Sequence, residues 1–119
     1  MNREDRPWGF FETLLDEPDY KVKRITINLG CRLSLQQHQK RDEYWVVVGG
    51  NGVIYLGDNP KSIEWYALPN GERVSIPRGS WHRVENLKES VDPLVMIEIQ
   101  VGECREDDIV RAEDDYGRA

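Results

Sequence analysis

The sequence is short of the residues that would narrow its chemistry fastest: its 119 positions hold two cysteines, two histidines, two methionines and two phenylalanines. Cys31 and Cys104 form no C-x-x-C pair and are too few for a disulfide framework, so a reducing compartment is expected. No apolar run approaches the ~20 residues that cross a bilayer, and the opening MNREDRPWGF is charged where a signal peptide would be hydrophobic. The expectation is a soluble, cytoplasmic protein with no membrane partner. Basic residues are outnumbered, 16 Lys and Arg against 22 Asp and Glu for a net charge of −6, which argues against nucleic acid as a partner. The acidic excess is uneven. Residues 102–119 carry seven acidic and three basic side chains, so the body before them is nearly balanced and leaves room for an anionic small ligand among residues such as Lys21, Lys23, Arg24, Lys40, Arg41 and Arg83.

Also missing are repeats, low-complexity tracts, an interdomain linker and any sustained helical periodicity in the first hundred residues. The length suits one domain, residues 1–119, able to bury about two-thirds of its unfolded surface. What is present is a series of short β-rich runs: YKVKRITIN, RLSLQ, EYWVVV, GVIYLG, SIEWYAL, RVSI, WHRVEN and PLVMIEIQV. That pattern reads as a β-sandwich or barrel. GGNG at residues 49–52 and PNGE at residues 69–72 are expected to close a hairpin each. REDDIVRAEDD is expected to form a short helix or a tail docked on the barrel. Strand alternation puts Gln36 and His38 on one face, Glu43 with Trp45 and Val47, His82 with Val84, and Glu98 with Met96 and Gln100.

Counting spacings sharpens this. From Gly30 the chain runs five residues to Gln36, one to His38, four to Glu43 and six to Gly50; from Gly71 it runs five to Pro77, one to Gly79, two to His82 and three to Asn86. These two stretches resemble the paired motifs of the cupin superfamily, with Gln36 standing where the first motif commonly has a histidine. The resemblance implies an all-β cupin fold, a double-stranded β-helix or small jelly-roll barrel. It also implies one divalent metal ion held by Gln36, His38, Glu43 and His82. Two imidazoles and a carboxylate suit zinc, manganese, iron, nickel or cobalt, and an amide oxygen completes such a shell without adding charge.

A narrower resemblance covers residues 6–118. RPWGFFETL, YKVKRITINLGCRLSLQQHQKRDEYWVVVGG, IPRGSWHRVENL, IEIQVGE and EDDIVRAEDDYGR look like the type II mannose-6-phosphate isomerase domain, commonly the C-terminal part of a bifunctional guanylyltransferase/isomerase of GDP-mannose biosynthesis. Glutamine at the position of Gln36 is usual in that family. Where the family commonly has histidines beside the metal site, this chain has Gln39, Lys40 and Tyr44. No glycine-rich nucleotide-binding segment precedes Arg6, so guanylyltransferase activity is not expected. The implied reaction interconverts mannose-6-phosphate and fructose-6-phosphate, with a sugar phosphate as the partner and a homodimer as a possible assembly.

Such a reaction needs a metal, a base and cations for the phosphate. Glu43 as a ligand is a poor base, which leaves Glu98, or Asp114 or Asp115 if the tail folds over the barrel mouth. Arg111 is the first candidate for the phosphate, followed by Lys23, Arg41 and Arg83 in the body and Arg118 in the tail; the alternative for Arg111 is an ion pair with Asp107 or Asp108 on a helical turn. Two other functions fit the same residues: a sugar-phosphate-binding module without chemistry, and a metal-dependent cupin dioxygenase. A dTDP-sugar epimerase, which pairs a histidine with an aspartate, is disfavoured because both histidines are already claimed as ligands.

Overall fold

The computed structural model describes residues 2–119, and every regular element among them is a strand. In chain order these are β1 (Asn2–Arg6), β2 (Gly9–Asp16), β3 (Tyr20–Ile27), β4 (Leu35–Gln37), β5 (Arg41–Gly49), β6 (Gly52–Gly57), β7 (Glu64–Leu68), β8 (Arg73–Ile76), β9 (Trp81–Glu85), β10 (Leu94–Gly102) and β11 (Val110–Glu113). They form two antiparallel sheets, ordered β1-β2-β3-β10-β5-β8 and β11-β4-β9-β6-β7. The all-β jelly roll implied by the resemblance to the cupin motifs is what the chain adopts. No helix among the described residues is long and apolar enough to cross a membrane.

Period-two patterning explains why the sheets close on one another. β5 turns Arg41, Glu43, Trp45 and Val47 inward, and β10 turns Leu94, Met96, Glu98 and Gln100 inward. Register sets Met96 beside Val47, Glu98 beside Trp45 and Gln100 beside Glu43. The opposite sheet contributes Ile54, Leu68 and Val84, all essentially inaccessible. The interior is therefore apolar at one end and polar at the other, on the same strands.

The two glycine turns differ from expectation. GGNG joins β5 to β6 and PNGE joins β7 to β8, and in each case the joined strands lie in different sheets. Both are corners of the jelly roll. Gly50 and Gly71 do supply left-handed backbone, with φ of 73° and 87°, and a Cβ on Gly50 would meet the Pro93 carbonyl oxygen at 2.4 Å. Such residues dictate a change of direction; they do not decide which strand is then paired, here β10 and β8 for β5 and β9 and β7 for β6. The hairpins are β1–β2, β2–β3 and β6–β7.

The acidic tail contributes a strand where a helix was one expectation. β11 adds to the free edge of β4, pairing Arg111 with Gln36 and Val110 with Gln37. An unpaired strand edge next to the segment is a stronger template than weak helical propensity. β1 and β2 also lie outside the runs read from sequence. β1 is NREDR, wholly charged or polar, and is held by its backbone ladder to β2. The last motif residue, Asn86, acts structurally, because its buried amide donates to the carbonyls of Ile27 and Asp92 and so pins the loop before β10.

Candidate functional site

The polar end of the barrel is a chamber of about 180 Å³, below the ~300–1,000 Å³ typical of drug-sized ligands, so its occupant is small. Inside it, His38, Glu43 and His82 present ligand atoms that lie within 4.8 Å of one another, all from buried residues. His38 follows β4, Glu43 comes from β5 and His82 from β9, so both sheets contribute. The β4–β5 loop is tied to the second motif, because Gly79 N donates to the His38 carbonyl at 2.7 Å.

Each histidine is oriented from behind. His38 Nδ1 meets the Asp108 carbonyl at 2.6 Å and His82 Nδ1 meets the Ser80 carbonyl at 3.1 Å. A carbonyl only accepts, so Nδ1 carries the hydrogen on both rings and Nε2 turns a lone pair inward. His38 Nε2 then faces Glu43 Oε2 at 3.4 Å, and His82 Nε2 faces Glu43 Oε1 at 3.5 Å. Glu43 Oε1 is buried with no hydrogen bond among the described residues. Glu43 Oε1 and His82 Nε2 face each other with no donor between them among the described residues, which suits a cation, and together with His38 Nε2 this is the donor set of a divalent transition metal. Burial, more than the neighbouring Arg41 and His82, pulls the His38 pKa down to about 4, so its ring is neutral near pH 7. Burial works against ionisation of Glu43, but His82, His38 and Arg41 outweigh it and hold its carboxyl well below the usual range.

Arg41 shares this space. Its guanidinium donates from Nε to Glu43 Oε2 at 2.9 Å, from one terminal nitrogen to His38 Nε2 at 3.2 Å and from the other to the Arg105 carbonyl at 3.0 Å. A metal bound to His38 must displace the second of these bonds. Gln36 lines the chamber directly across the ladder from His82; its NH2 group donates to the hydroxyl and carbonyl of Ser34, leaving the amide oxygen as its other polar group.

On β10, the strand next to the one that carries Glu43, sits Glu98, 4% exposed. Its carboxylate accepts from the Trp45 indole at 3.0 Å and from the Gln100 amide at 2.7 Å. Burial first, and then the charge of Glu43, push its pKa up to about 7 against the pull of Lys23 and Arg41. A buried carboxyl that titrates near neutrality beside a metal-type donor set has the properties of a proton-transfer group.

The family model described as mannose-6-phosphate isomerase C-terminal matches residues 2–114. The chain belongs to this mannose-6-phosphate isomerase C-terminal family. It is 42% identical over 114 residues to the xanthan biosynthesis protein XanB of Xanthomonas campestris pv. campestris (strain B100), covering 95% of this chain and 23% of that one. To the mannose-1-phosphate guanylyltransferase ManC of Salmonella typhimurium it is 41% identical over 120 residues, covering 99% and 24%. The chain thus spans about a quarter of the length of these relatives. Among solved structures, the capsular polysaccharide assembling protein CapF of Staphylococcus aureus superposes with a TM-score of 0.81 at 25% identity, over 95% of this chain and 34% of that one. Lactobacillus farciminis oxalate decarboxylase superposes with a TM-score of 0.78 at 15% identity, over 93% and 33%. The fold is that of the cupins.

On this family member the candidates from sequence separate into two groups. Gln36, His38, Glu43, His82, Glu98, Lys23, Arg41, Arg111 and Arg118 all border the chamber. Arg83 does not: it lies on the other face of β9, donating to the Leu33 carbonyl and to Glu113. Asp114 is absent from the chamber lining, and its carboxylate takes three hydrogen bonds from Arg118, which hold its pKa at about 2. Asp115 is tied to Arg32 at 2.7 Å. Neither aspartate is placed to act as the base. Arg111 lies on a strand, and the acids proposed to pair with it are engaged elsewhere, Asp107 with Arg105 and Asp108 with the backbone nitrogens of Gln39 and Lys40. Gln39, Lys40 and Tyr44 point out to solvent, so the histidines missing there do not leave gaps in the chamber. Sequence reading passed over the residues that hold the others in place: Trp45 and Gln100 behind Glu98, Asp108 behind His38, and Glu106, which pairs with Lys23 at 2.6 Å. Alternation already put Trp45 and Gln100 on the inward face; nothing local marks Glu106 or Asp108.

Proposed function

We propose that this protein is a metal-dependent aldose-ketose isomerase that interconverts mannose-6-phosphate and fructose-6-phosphate. The observation that carries the reading is Glu98, a buried carboxyl with a pKa of about 7 in the same small chamber as the His38, Glu43 and His82 donor set. Membership of the mannose-6-phosphate isomerase C-terminal family supports mannose-6-phosphate as the substrate.

The reaction moves one proton between adjacent carbons while carbonyl and hydroxyl exchange places. His38, Glu43 and His82 would hold the divalent ion, with the Gln36 amide oxygen as a fourth donor. When bound, the ion supplies positive charge against the oxyanion that develops as a C–H bond beside the carbonyl ionises. Glu98 takes the proton from the hydroxyl-bearing carbon and returns it to the neighbouring carbonyl carbon, while the hydroxyl proton passes to the former carbonyl oxygen. Trp45 and Gln100 keep the Glu98 carboxylate aimed inward. Lys23, 5% exposed and paired with Glu106, places a cation near Glu98 and moderates the rise in its pKa.

The test is a coupled assay of fructose-6-phosphate formation by metal-reconstituted protein, with His38→Ala as the control for contaminating isomerase. Activity that is lost with chelator, restored by a divalent ion and absent from His38→Ala supports the reading. No activity above that control, with saturable binding of the sugar phosphate, assigns the chain to ligand binding without isomerisation.

A further inference from the structure

The chamber holds a buried acceptor outside the metal donor set. Gln100 is 1% exposed and lines the chamber. Its Nε2 donates to Glu98 Oε1 at 2.7 Å, while Glu98 Oε2 accepts from the Trp45 indole at 3.0 Å. Turning the amide over would set its oxygen against the Glu98 carboxylate, so this bond fixes which end of the amide is which. The other end is Oε1, and it is buried with no hydrogen-bond partner among the described residues. The backbone behind it is held as well, since the Gln100 carbonyl accepts from the Cys104 thiol at 3.5 Å.

The donors in the neighbourhood are turned elsewhere. Register puts Lys21 of β3 and Glu43 of β5 on either side of Gln100. The Lys21 amine reaches Glu106 at 3.4 Å, and Lys23 reaches the same carboxylate at 2.6 Å. Arg41 directs its guanidinium to Glu43, His38 and the Arg105 carbonyl. A buried amide oxygen without a donor is unfavourable, and a ligand that brings a donor relieves it. With Glu98 bonded to the same amide and Glu43 on the next strand, an anionic ligand group is repelled from this position and offers no hydrogen. A hydroxyl offers the hydrogen without the charge. Its place on the ligand follows from the shared bond. The amide that presents Oε1 is tied through Nε2 to the carboxylate that moves the proton, so the hydroxyl it accepts sits close to the reacting carbons. The oxygens of the reacting pair belong with His38, Glu43 and His82, which leaves the hydroxyl of the next carbon along.

We propose that Gln100 Oε1 accepts a hydrogen bond from the substrate hydroxyl on the first carbon beyond the reacting pair, and so selects polyhydroxy substrates over their deoxy counterparts. The choice of that hydroxyl rests on the isomerase reading, while the need for a hydroxyl donor at Gln100 does not.

The experiment compares mannose-6-phosphate with its 3-deoxy analogue on wild type, Gln100→Met and Gln100→Leu, each the full chain loaded with a divalent ion, by calorimetric affinity and by turnover. Thermal midpoints establish that the variants are folded, and either one carries the comparison. Wild type should bind the deoxy analogue about tenfold more weakly or worse, with a similar loss in kcat/KM, because a site built around a hydroxyl rejects the analogue that lacks it. Gln100→Met should bind the two ligands within about twofold of one another, since the interaction is then absent from both sides of the cycle. Its turnover of both should drop together, because the substitution also frees Glu98, and the ratio of the two substrates cancels that loss. Metal content after dialysis should be the same in wild type and variant. A deoxy penalty of equal size in wild type and folded Gln100→Met, or no penalty in wild type, overturns the proposal even where isomerase activity is found. Loss of metal from the variant also overturns it, because Oε1 would then be a metal donor. A penalty that depends on Gln100 in a protein that binds the sugar phosphate without turning it over keeps the hydroxyl site and removes the reaction. No saturable binding of either sugar phosphate overturns both.

Discussion

Strands β5 and β10 run side by side through both halves of the barrel interior, and both change character at the same rung. On one side of Trp45 and Glu98 the paired residues are Val47 and Met96; on the other they are Glu43 and Gln100. The apolar half resembles any protein core, with Met96 and Leu94 at 0% exposure. The polar half buries a carboxylate oxygen of Glu43 that has no hydrogen-bond partner among the described residues, and a carboxyl on Glu98 whose pKa is far from its solution value. Trp45 belongs to both. Its ring is part of the apolar cluster and meets His82 edge-on at 5.6 Å, while its indole nitrogen holds Glu98. One half therefore stabilises the fold and the other is tolerated by it, which is the arrangement expected of a functional site.

The contrast breaks most completely if the polar half loses its metal donors. His82→Ala should abolish metal binding, read as metal content after dialysis against a metal buffer, and should leave the barrel folded. Gln36→Ala should only weaken binding, because a neutral amide oxygen contributes least to the shell.

Glu98→Gln should lower turnover by about 100- to 10,000-fold, the usual contribution of a positioned base, with metal content unchanged. Wild-type activity should rise with pH as Glu98 ionises, with a midpoint below the metal-free value of about 7 because a cation on Glu43 offsets the charge that helps to raise it, and the residual activity of Glu98→Gln should lack that limb. Stability should move the other way. The folded pKa of Glu98 lies above the unfolded carboxylate value of ~4.3, so between these two values the native state holds a proton that the unfolded chain has lost. The stability this provides is complete below ~4.3 and is lost as pH rises through about 7. Glu98→Gln carries no such loss, and urea unfolding of the metal-free protein at pH 5 and pH 8 should show wild type falling relative to the variant.

The complementary substitution is Met96→Ala. Removing a fully buried side chain from the apolar half should destabilise the protein by about 2–5 kcal/mol, measured by denaturant unfolding, with metal affinity preserved. A drop in metal affinity comparable to that of His82→Ala would show that the two halves are not separable.

Much of this division is legible in the sequence, and the residues say why. Period-two alternation suffices to turn Glu43, Trp45 and Glu98 inward, because β5 and β10 are long and regular. The same rule turns Arg83 away from the face of His82, so its placement outside the chamber follows from the pattern. The resemblance to the paired cupin motifs implied that Gln36, His38, Glu43 and His82 share one site, and the structure brings ligand atoms of His38, Glu43 and His82 within 4.8 Å of one another. Pairing partners were not legible. Nothing near Arg111 says that it will lie beside Gln36, and nothing in NREDR says that a charged segment will become an edge strand bringing Arg6 to the mouth. Glycine corners likewise announce a turn without naming the sheet that follows. Register is a property of long-range contacts, and the residues that support the site, Asp108 and Glu106 among them, depend on it.

The smallest expected effect concerns that support. The segment from Glu103 to Asp108 clasps the β4–β5 loop at several points: Glu103 N donates to the Lys40 carbonyl at 3.0 Å, the Arg105 carbonyl accepts from Arg41, and the Asp108 carboxylate accepts from the backbone nitrogens of Gln39 and Lys40 at 3.0 and 2.9 Å. This clasp presents the Asp108 carbonyl to His38 Nδ1 and so fixes the ring that faces Glu43. Partners behind a ligating histidine typically contribute 10- to 100-fold in metal affinity. Asp108→Ala keeps the carbonyl but removes the two bonds that position it, so metal affinity should fall by about tenfold, toward the lower end of that range, while the barrel keeps its stability. Asp107→Ala is the matched control, because Asp107 is exposed and its ion pair among the described residues is with Arg105. Competition against a chromophoric chelator measures both. Equal affinities for the two variants would mean that His38 is positioned by the barrel alone, and the tail would then matter to the chamber only through Glu106, Arg111 and Arg118.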